Sequence, residues 1–247
     1  MAFCLMLIFT FVIVHIGAKR EATKGVDEDG YISTSTVMIT SVKVEGDNNI
    51  TYPSITGSGN KEIQDSFNNG AKKIVDDEIK SFNKLAGEFV NEGNKNTANN
   101  SLELDYQITG QNSNFISIKF IGYLYGGGAH GSNINISYNF DLRTGQEIKL
   151  ADLFRPDSNY LNAISDYTIN ELKSRNLGDS KQIEEGASPK AENFKTVNIS
   201  DTGLLFTFED YQVAPYVVGQ QTVIIPFEKL KNTLNSKFFI VNWQIKI

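Results

Sequence analysis

The chain has 247 residues, of which 40% are hydrophobic and 21% charged, a globular composition rather than a disordered one. Its 23 Lys and Arg against 29 Asp and Glu give a formal charge of -6. That balance argues against a nucleic-acid partner, which would call for clustered excess positive charge. The single cysteine, Cys4, leaves the rest of the chain without a thiol nucleophile, a disulfide or a thiolate metal site.

Residues 2–18 are apolar apart from Thr10 and His15, and Lys19 and Arg20 end the run. The run meets the short limit of roughly 17 residues for spanning a bilayer core. It also resembles a signal-peptide core, with Ile16-Gly17-Ala18 as a tolerable cleavage site, although the usual basic n-region is missing. Residues 1–20 are therefore expected to be a signal peptide or membrane anchor, the chain's only contact with a membrane. The protein is expected to be exported, either secreted or held at the cell surface. Cys4 stands at the start of the run rather than its end, which speaks against a lipid anchor. Without residues 1–20 the balance becomes 21 against 29, or -8.

Residues 21–30 are polar and acidic and are expected to form a linker. Residues 31–46 are β-branched and partly alternating, a strand signal. Residues 48–60, with Pro53 and several Gly and Asn, are expected as a loop. From about 60 to 90 the residues Ile63, Phe67, Ala71, Ile74, Ile79 and Phe82 recur at helical spacing, with Asn60 as N-cap. This stripe predicts a long helix packed on a sheet. The period then changes to two: "SLELDYQITG", "NFISIKFIGYLY" and "NINISYNFDL" alternate and predict an antiparallel meander.

Beyond Pro156, Leu161, Ile164, Thr168 and Leu172 share a helical face. Residues 175–193 are expected as loop, with strands in "FKTVNIS", "GLLFTFED" and "QQTVIIPF" and a short helix in "EKLKNTLN". The tail, with Phe239, Val241, Trp243, Ile245 and Ile247 alternating, predicts a last strand. The class is α+β, with antiparallel sheets, one long helix and two shorter ones. The expected division is an N-terminal subdomain over 31–112 and a C-terminal one over 113–247.

The loop "GGGAHG" (126–131) carries His130, one of two histidines. It lacks the lysine of a phosphate-binding Walker loop. A strand, not a helix, follows it, which removes the dinucleotide reading. One histidine without cysteines gives no metal set, so neither a metal nor a cofactor is expected. No "GxSxG" elbow accompanies it. Paired carboxylates remain open to any acidic chain, with Glu209 and Asp210 the best pair. The alternative function is accordingly a secreted cell-wall glycan hydrolase using a Glu/Asp pair, which would need two carboxyls about 5–10 Å apart in a cleft.

Three stretches carry a resemblance. "ITYPSITGSGNKEIQDSFNNGAKKI" (50–74) resembles the opening of the domain that precedes PdaC-type peptidoglycan deacetylases. "FIGYLYGGGAHGSNINISYNFDLRTGQEIKLADLF" (120–154) and "LLFTFEDYQVAPYVVGQQTVIIPFEKL" (204–230) resemble the two signatures of the RsiV family, extracytoplasmic parts of anti-sigma factors. The resemblance implies a non-enzymatic binding or sensor module outside the membrane, recognising lysozyme or a cell-wall glycan such as peptidoglycan. With only Met1 before the apolar run and nothing after Ile247, the anti-sigma and deacetylase activities are not expected to carry over. The residues flanking the signature loops, Tyr123, Tyr125, His130, Tyr211, Pro215 and Tyr216, are the candidate ligand contacts, and no catalytic residue is assigned.

Overall fold

The computed structural model describes residues 25–26, 32–33, 37–45, 47–91, 100–127 and 130–238. The predicted leader and the predicted last strand lie outside them. Two short strands, β1 (Gly25–Val26) and β2 (Ile32–Ser33), pair antiparallel within a unit of their own, residues 1–34. The expected linker thus contains a strand, and the single strand expected over 31–46 is two. Its second part, β3 (Met38–Val44), belongs to the main unit, residues 35–247.

The main unit opens on a six-stranded sheet with its strands in chain order, β3 at one edge. β4 (Asp47–Thr56) occupies the stretch expected as loop. Proline is depleted from strand interiors because it cannot donate to a ladder. Here Pro53 stands opposite Ser41 of β3, whereas β4 pairs with the next strand, β5 (Ser101–Gln111), only at Ile50 opposite Leu104. That β4–β5 pair is parallel, the others antiparallel, because the long helix α1 (Lys61–Asn91) connects the two strands as a crossover. The meander follows: β5 (Ser101–Gln111), β6 (Phe115–Tyr125) and β7 (Ser132–Asp141), with the two-residue β8 (Gln146–Glu147) at the edge.

α1 starts where the sequence places it. The Asn60 side-chain carbonyl accepts from the backbone N–H groups of Glu62 (2.8 Å) and Ile63 (3.3 Å), satisfying donors that the first turn leaves free. Its stripe packs on the sheet. Phe67, Ala71 and Val75 are fully buried among Ile55, Leu104, Ile116, Ile118, Phe120, Tyr138 and Phe140, with Ile63, Ile74, Ile79 and Phe82 around them. The Asn68 amide clamps helix to strand, accepting from the Ile55 N–H (2.7 Å) and donating to the Ile55 carbonyl (3.1 Å).

The second layer comprises α2 (Tyr160–Ser174), α3 (Ser180–Gly186), the three-stranded sheet of β9 (Val197–Ile199), β10 (Gly203–Thr207) and β11 (Thr222–Pro226), and the single turn α4 (Phe227–Leu230). β10 is central and antiparallel to both neighbours. The loop expected over 175–193 is in part helical. Asp179 caps α3 by accepting from the Lys181 N–H, and Ile183 and Phe194 are buried. A second core gathers Leu153, Phe154, Ile164, Leu172, Phe194, Ile199, Leu204, Phe206, Phe208, Val223 and Ile225. The short helix expected over 228–235 is shorter, ending at Leu230.

The two cores do not divide the chain at 112. The first sheet runs unbroken through β5 and β6, and Phe115 of β6 already belongs to the second core. Alternation on β6 explains this. Ile116, Ile118 and Phe120 face α1, and the odd residues face the other way. Over that outer face β9 crosses obliquely. Ser137 of β7 donates to the Lys195 carbonyl at 3.5 Å, Asn198 donates to the Ile118 carbonyl of β6 at 2.7 Å, and Thr109 of β5 donates to the Ile199 carbonyl at 3.0 Å.

Candidate ligand-binding site

The outer face of β6 beyond the β9 crossing carries Tyr123 and, two residues along, Tyr125, whose cross-strand partner is Ser101. The β6–β7 connection brings His130 back over this face. Gly131 permits the close approach: a Cβ there would lie 2.5 Å from the Leu124 carbonyl oxygen and 2.5 Å from Tyr123 Cζ. Its N–H donates to Tyr123 Oη at 2.9 Å.

The segment after β10 reaches the same place from the second layer. Phe208 and Val213 are buried, anchoring both ends of the turn between them. Gln212 fixes it further, donating from Nε2 to the carbonyls of Gly186 (2.8 Å) and Asn193 (2.9 Å). At the tip Tyr211 adopts φ 66°, a left-handed backbone that costs a non-glycine residue roughly 1–2 kcal/mol. Gln182 holds this conformation by donating to the Tyr211 carbonyl at 2.6 Å. Pro215 is exposed and precedes the 3-10 turn Tyr216–Val218, its carbonyl accepting from the Val218 N–H at 2.9 Å.

Four of the six candidate residues therefore meet. The His130 ring stacks on Tyr216 at 4.5 Å between centroids, Tyr216 stacks on Tyr211 at 5.5 Å, and Tyr211 lies 6.2 Å from His130. Tyr216 Oη donates to the Gly131 carbonyl at 3.4 Å. The carbonyl of Gly131 can only accept, so His130 Nδ1, 3.0 Å away, donates to it. On the other side of the ring, Nε2 lies within hydrogen-bond distance of Tyr211 Oη, at 3.3 Å. Burial raises the Tyr216 hydroxyl above the usual phenol range, helped by Tyr123, Asp210 and Tyr211 beside it. Ring stacking and hydrogen bonds together hold the cluster.

Sequence reasoning missed the clamp that joins the two loops. Asn133, just after Gly131, donates from Nδ2 to both Asp210 oxygens (2.9 and 3.1 Å) and from its backbone N–H to Oδ2 (3.1 Å). No signal links residues 77 apart. Glu209 and Asp210 lie past the end of β10, not on a strand as expected. Glu209 pairs with Lys195 at 2.7 Å, so both acids of the candidate pair serve the wall of the site. Among the described residues no group of three or more His, Cys, Asp or Glu is placed to hold a metal.

Residues 42–133 match the family model described as "Deacetylase PdaC", and residues 151–228 match "Protein of unknown function (DUF3298)". The chain therefore has the composite make-up that its signatures suggest, a PdaC-type segment followed by an RsiV-like one. It is 29% identical over 176 residues to the peptidoglycan-N-acetylmuramic acid deacetylase PdaC of Bacillus subtilis, covering 70% of this chain and 37% of that protein. It is 24% identical over 196 residues to the anti-sigma-V factor RsiV of the same organism, covering 76% of this chain and 65% of that one. The chain thus spans less than two thirds of the length of either relative. Crystal structures of DUF3298 family proteins from Bacteroides fragilis (TM-score 0.57, 18% identity, 82% of this chain and 93% of that one) and Pseudomonas aeruginosa (0.55, 14%, 83% and 95%) share the fold. The ring cluster stands where the two segments meet, with Tyr123 and His130 from the first and Tyr211 and Tyr216 from the second.

Proposed function

We propose that this protein is a non-enzymatic, extracytoplasmic binding module of the cell envelope, recognising lysozyme or another cell-wall-associated ligand through the ring cluster. The observation that carries the reading is the cluster itself. Four aromatic or imidazole side chains from two distant segments are held together at the surface, Tyr211 is 53% exposed at a strained backbone, and Val217 beside them is 92% exposed. Backbone strain kept at an exposed aromatic residue points to use, because packing gains nothing from it. Similarity to a peptidoglycan deacetylase and to an anti-sigma factor supports an envelope location.

Charge supports a basic partner. The chain without residues 1–20 stands at -8, and long-range attraction of a basic protein such as lysozyme raises the on-rate more than the affinity. Specific affinity then has to come from a few buried aromatic anchors. The test is lysozyme binding by calorimetry at about 150 and 500 mM salt, where charge alone is screened beyond roughly 8 Å or less. Wild-type protein is expected to bind at both, and Tyr216→Ala to lose tenfold or more, about 1.4 kcal/mol. Binding that disappears at the higher salt and ignores the substitution would reduce the interaction to bulk charge. The same pair of proteins tested on soluble peptidoglycan separates a glycan ligand from a protein one.

A further inference from the structure

α1 is longer than the strands it covers. Its 31 residues span about 46 Å at roughly 1.5 Å each, against about 33 Å for the ten residues of β4. The helix starts beside the end of β4, where Asn68 holds Ile55, and runs back toward the strand's beginning. Its second half therefore has less sheet beneath it, and the stripe residues Ile79 and Phe82 are only half-buried. The strands also part at this end. β4 meets β5 only at Ile50 opposite Leu104, and the β3–β4 register shifts between Lys43 and Val44. The result is an open pocket of about 320 Å³ on the α1 side of the sheet, at the lower end of the roughly 300–1,000 Å³ of small-molecule sites.

Ile50, Phe82 and Leu102 give the pocket an apolar floor, and its polar groups are three asparagines, Asn100 among them, and Ser101. Among the described residues the lining carries no ionisable side chain. An ionic ligand would lose its water there without gaining a counter-charge. Side-chain amides present donors and acceptors together, so they match a neutral group that also carries both. The apolar floor beside them takes a small apolar substituent. A secondary acetamide has these parts in one unit: a carbonyl, an N–H and a methyl group.

Asn100 supplies the independent sign of a ligand. Its Nδ2 is enclosed and has no hydrogen-bond partner. Its Oδ1 is turned toward the glycine loop, 3.1 Å from where a Cβ at Gly127 would stand. Buried donors are nearly always paired, and an orphan one is destabilising. A leucine would fill the same space without that cost. An acceptor arriving with a bound molecule removes it.

We infer that this pocket binds an acetamido group on a small neutral molecule, its carbonyl accepting from Asn100 and its methyl resting on Ile50, Phe82 and Leu102. The ring cluster is built on the outer face of β6, whereas the pocket opens on the α1 face, so the two sites are separate.

The probes are N-acetylglucosamine, N-acetylalanine methylamide and glucose, all neutral. The first two carry an acetamido group from different chemical sources, and glucose carries hydroxyls alone. The protein is titrated with each and followed by backbone and side-chain amide chemical shifts. At least one acetamide is expected to bind roughly tenfold or more tighter than glucose, with shifts centred on residues 50, 82 and 102 and on the Asn100 side chain. The tighter of the two identifies the source, a sugar or an acetylated amino acid, and either result upholds the assignment. Asn100→Leu is expected to lose the preference for acetamide while melting at or above the wild-type temperature. Glucose bound as tightly as both acetamides, or shifts that miss these residues in the wild type, overturns the assignment without needing any variant. So does an acetamide preference that survives Asn100→Leu. Lysozyme binding tests the ring cluster alone, so either reading can fail without the other.

Discussion

Single side chains set the geometry of the ring cluster, and Gly131 is the tightest of them. Its backbone passes so close to Leu124 and Tyr123 that even a methyl group has no room. The obstacle on one side is a strand carbonyl, which cannot swing away. Gly131→Ala is therefore expected to destabilise the protein by about 1–3 kcal/mol and to loosen the Tyr123 contact, read as a lower Tm in a thermal melt. Asp141 sets a different dependence. Burial by itself would raise its carboxyl, but Arg143 donates to it from Nε, Nη2 and its backbone N–H, and Lys237 stands 3.6 Å away. These contacts hold it below the ordinary carboxylate range. The folded value lies below the unfolded one, so this stabilisation is present above the unfolded value of about 3.9 and is lost as pH falls through the folded one. Asp141→Asn should flatten the acid limb of a Tm-against-pH curve. An unchanged limb would mean that other carboxylates govern it.

At the scale of elements, α1 shows where helical propensity yields to packing. Gly70 lies mid-helix, where alanine is favoured by about 1 kcal/mol. A Cβ there would stand 2.2 Å from Tyr138 Oη and 2.8 Å from Tyr138 Cζ. That tyrosine is buried, and its hydroxyl donates to the Phe67 carbonyl at 3.2 Å. Gly70→Ala is expected to lose about 1–3 kcal/mol despite the propensity gain. Adding Tyr138→Phe removes the nearest atom and should restore part of the loss, a coupling that a double-mutant cycle by urea denaturation measures. Purely additive effects would rule out the contact as the cause. The exposed pairs Lys61–Asp65, Lys72–Asp76 and Lys73–Asp77 run in the less favourable order, cation before acid, and add little.

At the largest scale, the two layers of residues 35–247 are held together by a polar seam. Ser117 on β6 donates to Asn139 Oδ1 at 2.6 Å and accepts from Asn198 Nδ2 (3.2 Å) and the Ile199 N–H (3.0 Å). Asn139 in turn donates to the Val197 carbonyl at 2.8 Å. The seam ties the α1-side core to the core of the second layer, and residues 35–247 cluster as one unit. Ser117→Ala strands several buried partners at once and is expected to cost about 1–3 kcal/mol. Because both cores lean on the seam, unfolding followed by fluorescence and by circular dichroism should stay a single coincident transition, shifted downward. Two separated transitions in the wild type would show the layers to be independent.

Much of this arrangement is legible in the sequence alone. The stripe from Ile63 to Phe82 and the alternation through 101–142 fix α1 and the meander, since both periods are local properties of a backbone that must bury one face. The Asn60 cap and the signature loops are likewise readable over a few residues. Three features are not. β4 reads as a loop because Pro53 breaks its pattern, and only the neighbour β3 and the amide of Asn68 make it a strand. The segment over 180–194 reads as loop because its polar, glycine-bearing stretch hides Ile183 and Phe194, which become core only once a second layer exists to receive them. The ring cluster and the Asn133–Asp210 clamp depend on β9 crossing the outer face of a sheet that ends some fifty residues earlier in the chain. Sequence periodicity reports which face of an element is apolar. Which distant element comes to lie on that face is set by the packing of whole layers, and that the tertiary structure alone decided.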